Sequence, residues 1–330
     1  MLTIAGRNGT MALGAAALAV AALPLFADPY YLELASTALV LAMFALSLQL
    51  LVGVTGLVSL GHAAFFGVGA YTIHLLGVFG AAPSVLLSIP SAMILAALAA
   101  FAVGALSLRT RGFFFLMTTL AFGQMLFFVF HDTPLGGGAD GVFVTRPSFS
   151  IFGLEWTVSR QDRPTVMLLL NLGVLVAMYA GMATLLRTMF GRALLGIRAN
   201  EHRMRSMGFD TYWLQLSAFT LAGALAGLAG HMWGMTQAFV SPELLAWHRS
   251  AEALLMILLG GLGALHGPIL GAFAFVGLGE IAGQLTERQR LVEGLVILAV
   301  VLGLRHGIVG IRLPAFRRIP APTPAKEAAP

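Results

Sequence analysis

The residues best suited to handling a small polar molecule gather in one run, Ser59-Leu-Gly-His-Ala-Ala-Phe-Phe-Gly-Val-Gly-Ala-Tyr71, with Gly53 and Gly56 just ahead of it. On a helix, Ser59, His62, Phe66 and Gly69 share one face. That stripe offers a hydroxyl, an imidazole, an aromatic ring and bare backbone, a set that could line a path for a small zwitterion with an apolar side chain. It fits equally well with close packing, because small residues let helix backbones approach in a membrane, with Ser59 and His62 bonding a neighbour. Thr118, Thr119 and Gln124 interrupt another apolar segment. Threonine hydroxyls bond back to their own helix. Gln124 cannot satisfy its whole amide that way, which leaves it for either a partner or a substrate contact.

Reactive constellations are missing from the sequence. Without cysteine there are no disulfides, thiolate metal sites or thiol nucleophiles. The apolar segments hold no His-x-x-x-His, no acidic pair and no Gly-x-Ser-x-Gly elbow, so neither a catalytic residue nor a metal site is expected. The one lysine, Lys326, lies in a Pro/Ala-rich tail rather than after a glycine at a helix start, which excludes a phosphate-cradling P-loop. Ion-driven carriers place costly charges in mid-membrane. Here Glu33, Glu252, Glu280 and Glu293 lie near proposed helix ends, within reach of interfacial water, and only His62 and His74 sit deep in the first half. The chain reads as a pathway without a motor of its own, not as an enzyme.

The elements that must position these residues follow from composition. Of 330 residues, 58% are hydrophobic and 10% charged, against about 25% charged in a soluble domain. The expected fold is all-α and polytopic, with about ten (eight to ten) membrane helices at 12–27, 32–51, 60–79, 85–106, 112–131, 165–186, 214–234, 250–265, 267–284 and 291–311. The eighth and ninth are short and glycine-broken, as half-helices or a re-entrant hairpin would be. The first is expected to be retained; a cleaved signal peptide is the alternative. The run Leu259-Gly-Gly-Leu-Gly-Ala-Leu-His-Gly-Pro-Ile-Leu-Gly-Ala-Phe273 echoes the Gly/His run at 59–71, which fits two inverted five-helix repeats or chance. Residues 1–313 form the membrane domain, and the proline-rich 314–330 segment reads as a disordered tail.

Charge sets the orientation. The 187–213 loop carries Arg187, Arg192, Arg198, Arg203 and Arg205 against Glu201 and Asp210, and Arg109 and Arg111 occupy the turn at 107–111. By the positive-inside rule these face the cytosol together with both termini, while the 132–164 loop faces outward. The net charge of +5, spread between apolar segments, marks topology and not nucleic-acid binding.

Several runs, in order, resemble LivM-type permeases, the membrane subunits of branched-chain amino acid ABC importers. Ser59–Tyr71 is similar to that family's signature, and Arg109-Thr-Arg-Gly-Phe-Phe-Phe-Leu-Met-Thr-Thr-Leu-Ala-Phe-Gly-Gln124 to its next motif. Gly136-Gly-Gly-Ala-Asp-Gly141 resembles an external glycine loop, where Asp140 either caps a turn or meets a ligand. Gly191-Arg-Ala-Leu-Leu-Gly-Ile-Arg-Ala-Asn-Glu201 resembles the cytoplasmic loop. The likeness spans about residues 30–312.

The resemblance implies a bacterial inner-membrane importer. Its other parts would be a second permease (LivH-like or identical), two cytosolic ABC ATPases and a periplasmic binding protein. Magnesium ATP would be used by the ATPases, with no cofactor in this chain. Arg192, Arg198, Glu201, Arg203 and Gly208 would lie in the ATPase-docking loop, although Asn200-Glu201-His202 departs from the usual docking motif. The leading substrate class is branched-chain amino acids. Urea, short amides or aromatic acids are alternatives within the family, and a stand-alone channel or ion-coupled carrier is a more distant one.

Overall fold

The structure, a computed structural model, describes residues 7–78, 84–145, 149–151, 154–156, 159, 161–285, 288, 291, 292, 294, 295, 298 and 307–310. In a bilayer the backbone must pair its own polar groups, so apolar segments become helices. They are α1 (Arg7–Ala22), α2 (Pro29–Gln49), α3 (His62–Val78), α4 (Val85–Ser107), α5 (Phe113–Asp132), α6 (Arg163–Arg187), α7 (Met189–Ala199), α8 (Glu201–Ser206), α9 (Thr211–Gln237), α10 (Trp247–Gly260) and α11 (Gly267–Leu285). Four strands of two or three residues are added in the connections. Val142–Phe143 pairs antiparallel with Phe239–Val240, and Phe149–Ile151 with Leu154–Trp156.

Among the described residues, six helices are long and apolar enough to cross a bilayer: Pro29–Thr55, Val85–Ser107, Phe113–Asp132, Arg163–Arg187, Thr211–Gln237 and Gly267–Leu285. Each falls where a span is expected. The first, third and eighth expected spans are shorter, with apolar helices at Leu13–Leu25 and His62–Val78 and a 14-residue α10. The tenth expected span and the tail fall largely outside the described residues.

One helix organises the rest. α2 continues into a π-helical turn, Leu50–Thr55, and ends at Gly56, which is left-handed with φ +81°. Every residue from 38 to 55 is buried, with α6, α9, α10 and α11 packed around it. The second glycine run covers the end of α10, a break at 261–266 and the start of α11, whereas the first opens α3. The two runs therefore occupy different places in their hairpins.

The arginine-bearing segments share one end of the bundle. Arg111 lies 3.6 Å from Glu201, and the Tyr212 hydroxyl donates to the Ala105 carbonyl at 2.9 Å. At the opposite end α9 stops short. Its last residue, Gln237, donates to Thr37, eight residues into α2, which places that end about 12 Å inside the start of α2 at 1.5 Å per residue.

Candidate functional site

α3 and α10 both begin inside the bundle and meet at their first turns, where the Ala63 amide donates to Ser250 Oγ at 2.8 Å. Phe44, which packs against this junction through Phe66, lies fifteen residues into α2. That is about 22 Å from its start, a little past the middle of the continuous Pro29–Thr55 span.

Because α3 begins at His62, Ser59 lies in the break before the helix and not on its stripe. The reason is local. The π turn and left-handed Gly56 redirect the chain, and Gly61 comes so close to α5 that an added Cβ would overlap the Thr119 carbonyl. Ser59 is buried, and its hydroxyl has no partner among the described residues. His62 is fully buried, shares a hydrogen bond of 2.9 Å with Ser47 Oγ and stacks on Phe44. Phe66 lies 4.6 Å from Phe44 and 6.1 Å from Trp233, centroid to centroid. Gly69 abuts Gly227 of α9, where any Cβ would strike the carbonyl. Three of the four residues therefore line the seam between α2, α3 and α9, and Gly69 has the role of a packing glycine.

Thr118 and Thr119 donate to the carbonyls of Phe114 and Leu116 on their own helix. Gln124 is half-buried on α5, next to Gly123, which packs on Gly61 just before α3, and its amide nitrogen is buried without a partner among the described residues. Asp140 is exposed in a 3₁₀ turn and makes no side-chain cap there; left-handed Gly137, Gly138 and Gly141 shape that loop instead.

The 187–213 loop is built from capped pieces. Thr188 accepts from the Gly191 amide to start α7, and Asn200 accepts from the Arg203 amide to start α8. α7 buries Gly191, Ala193, Leu194 and Ile197 and turns Arg192 outward. Arg198 crosses Gly56 and donates to the Gly53 carbonyl inside the π turn. Glu201 accepts from Arg205 at 2.6 Å and from Thr211 at 3.2 Å, and it is the acid that faces Arg111. Arg203 is exposed, and Gly208, at φ +86°, ends α8 in the left-handed conformation.

Three buried polar contacts are not foreshadowed by the sequence reading, and a fourth residue departs from its expected place. Gln49 is completely buried and donates to the Leu262 and Ala264 carbonyls in the α10–α11 break. Asn171 donates to Thr236, and Ser88 pairs with buried His231. Glu252, expected at a helix end in reach of interfacial water, instead pairs with Arg249 at 2.9 Å beside Trp233, Phe66 and Phe44. The signal was available for the first three: an amide or imidazole within an apolar helix needs a partner. Among the described residues, no group of three His, Asp or Glu side chains could hold a metal ion.

A bundle of apolar helices, broken at mid-depth and lined by sparse polar groups, defines a multi-pass membrane protein of the transport type. The chain belongs to the family described as branched-chain amino acid transport system / permease component, whose pattern matches residues 30–303. It is 28% identical over 304 residues to the high-affinity branched-chain amino acid transport system permease protein LivM of Salmonella typhimurium, covering 86% of this chain and 71% of that one. LivM of Escherichia coli K12 gives the same figures. The autoinducer 2 import system permease protein LsrC of Escherichia coli O157:H7 is 28% identical over 193 residues, 54% of this chain and 56% of its own. No solved structure matches.

Proposed function

We propose that this chain is the membrane-spanning subunit of an ATP-driven importer for branched-chain amino acids in a bacterial inner membrane. Both termini and the 187–213 loop face the cytosol, and the 132–164 loop receives a periplasmic binding protein. Two cytosolic ATPases supply the energy with their own magnesium ATP. A second permease, identical or related, completes the path.

The observation that carries this reading is the seating of α7. One face is buried against the bundle, its outward side and the following α8 present Arg192 and Arg203, and Arg198 grips the end of the central helix. A protein that pushed on α7 would move α2, which is the coupling an importer powered from outside the membrane needs. The hairpin α3–α4 packs on α9 as α10–α11 packs on α2. That exchange of roles supports two five-helix halves rocking about the α2–α9 contact.

Isolating the tagged chain from its native membrane in mild detergent tests the proposal. Two ATPase subunits and a second permease should co-purify, and the partner binding protein should take up leucine, isoleucine or valine by calorimetry. Isolation as a lone polypeptide, or a binding protein that prefers urea or an amide, would contradict it.

A further inference from the structure

We propose that Arg249 and Glu252, with Phe44, Phe66, Trp233 and Met256 around them, form a transit site for the amino acid zwitterion halfway through the bundle, an inference that rests on the transport reading above.

Depth comes first. Phe44 lies a little past the middle of the continuous Pro29–Thr55 span, and Trp233 lies one turn before the recessed end of α9. Both line one gap with Arg249 and Glu252. An ionisable pair at that level is costly, and such groups mark pathways more often than scaffolds.

Incomplete satisfaction comes second. Arg249 and Glu252 contact each other at 2.9 Å, and their side chains keep 28% and 30% of their exposure. The guanidinium carbon sits 5.8 Å from the Trp233 ring centroid, and Arg249 Nε is buried with no partner among the described residues. A guanidinium holds a carboxylate best through two parallel N–H groups. This one uses Nη1 on Glu252 and leaves Nε over.

Complementarity comes third. A zwitterion carries the same two charges as the pair. Its carboxylate can take the Arg249 fork and its ammonium the Glu252 carboxylate, while an aliphatic side chain lies among Phe44, Phe66 and Met256. The site is then neutral both empty, with the pair closed on itself, and loaded. A passing substrate exchanges one ion pair for two and leaves no bare charge in the bundle. The gap beside the pair holds about 10 Å³, too little for an amino acid, so loading requires Arg249 to swing away from Glu252. Uncharged ligands such as urea gain nothing from this exchange.

The test uses the whole importer, with ATPases, second permease and binding protein, in proteoliposomes. Arg249→Gln/Glu252→Gln keeps shape and mutual hydrogen bonding but removes both charges. Leucine uptake should fall about tenfold or more, the loss of one charge-assisted hydrogen bond, with basal ATP hydrolysis and assembly unchanged. The swap Arg249→Glu/Glu252→Arg should restore thermal stability without restoring uptake, because the aliphatic side chain would then point the wrong way. Full uptake by either variant would overturn the inference, as would failure of both to assemble, which would assign the pair to folding. Lack of ATP-dependent leucine uptake by the unaltered complex is a different result and would overturn the transport reading itself.

Discussion

Arg198 of α7 donates to the Gly53 carbonyl, inside the π-helical turn that ends α2. A π turn leaves carbonyls displaced from the regular ladder and open to an outside donor. Here the donor is charged and comes from the loop expected to meet the ATPase. Four residues earlier, Gln49 ties the same helix to the α10–α11 break. The loop, the central helix and the second broken hairpin thus form one connected set.

Replacing Arg198 should uncouple and not dissociate. Arg198→Ala is expected to leave ATPase subunits bound while lowering leucine uptake per ATP by roughly tenfold, within the range of about 0.5–2 kcal/mol for substitutions along a coupling route. Arg198→Lys should recover part of it. Simultaneous measurement of phosphate release and uptake checks this; loss of the bound ATPase would place Arg198 at the docking surface instead.

Gln49 acts as a strut. Gln49→Leu strips the donor from the Leu262 and Ala264 carbonyls and should cost about 1–3 kcal/mol. Gln49→Glu should cost more, since it aims a carboxylate at two acceptors. Thermal unfolding in detergent measures both, and equal stability of the two variants would contradict the hydrogen-bond assignment.

Backbone contact between α3 and α9 predicts a contrast among glycines. Gly69→Ala forces a methyl into the Gly227 carbonyl, and overpacking of this kind costs about 1–3 kcal/mol or more. Gly77→Ala, with nothing near its Cβ position, should be neutral or slightly stabilising. A similar penalty at both sites would argue against the close approach.

Orientation is testable without removing any native thiol, because the chain has no cysteine. Arg192→Cys and Arg203→Cys should react with an impermeant maleimide only in inside-out vesicles, and Asp140→Cys only in intact spheroplasts. All three positions are exposed. Reversed labelling would invert the assignment.

Much of this arrangement was legible in the sequence, and the rest was hidden for physical reasons. Long apolar runs gave the helices to within a few residues, because length and hydropathy alone decide them in lipid. The gathering of Arg111 and the 187–213 loop at one end followed from charge. The central place of α2 did not, since a helix apolar all round shows no face from which its neighbours can be inferred. Hydrophobic spacing carries no warning of a π turn, so it places Ser59 on a helix. A helix end read from sequence suggests interfacial water for Glu252, but α10 begins inside the bundle, where Ser250 meets the first turn of α3. Arg249, three residues earlier, was the overlooked sign of its partner.

Reconstitution into sealed vesicles separates a polypeptide that only conducts from one that also drives. Alone, the chain should hydrolyse no ATP and accumulate no leucine above the outside concentration under any ion gradient. With ATPases, second permease and loaded binding protein, it should accumulate leucine only when ATP is supplied. Uphill uptake by the chain alone, or uptake by the complete assembly that ignores ATP, would contradict a purely conducting role.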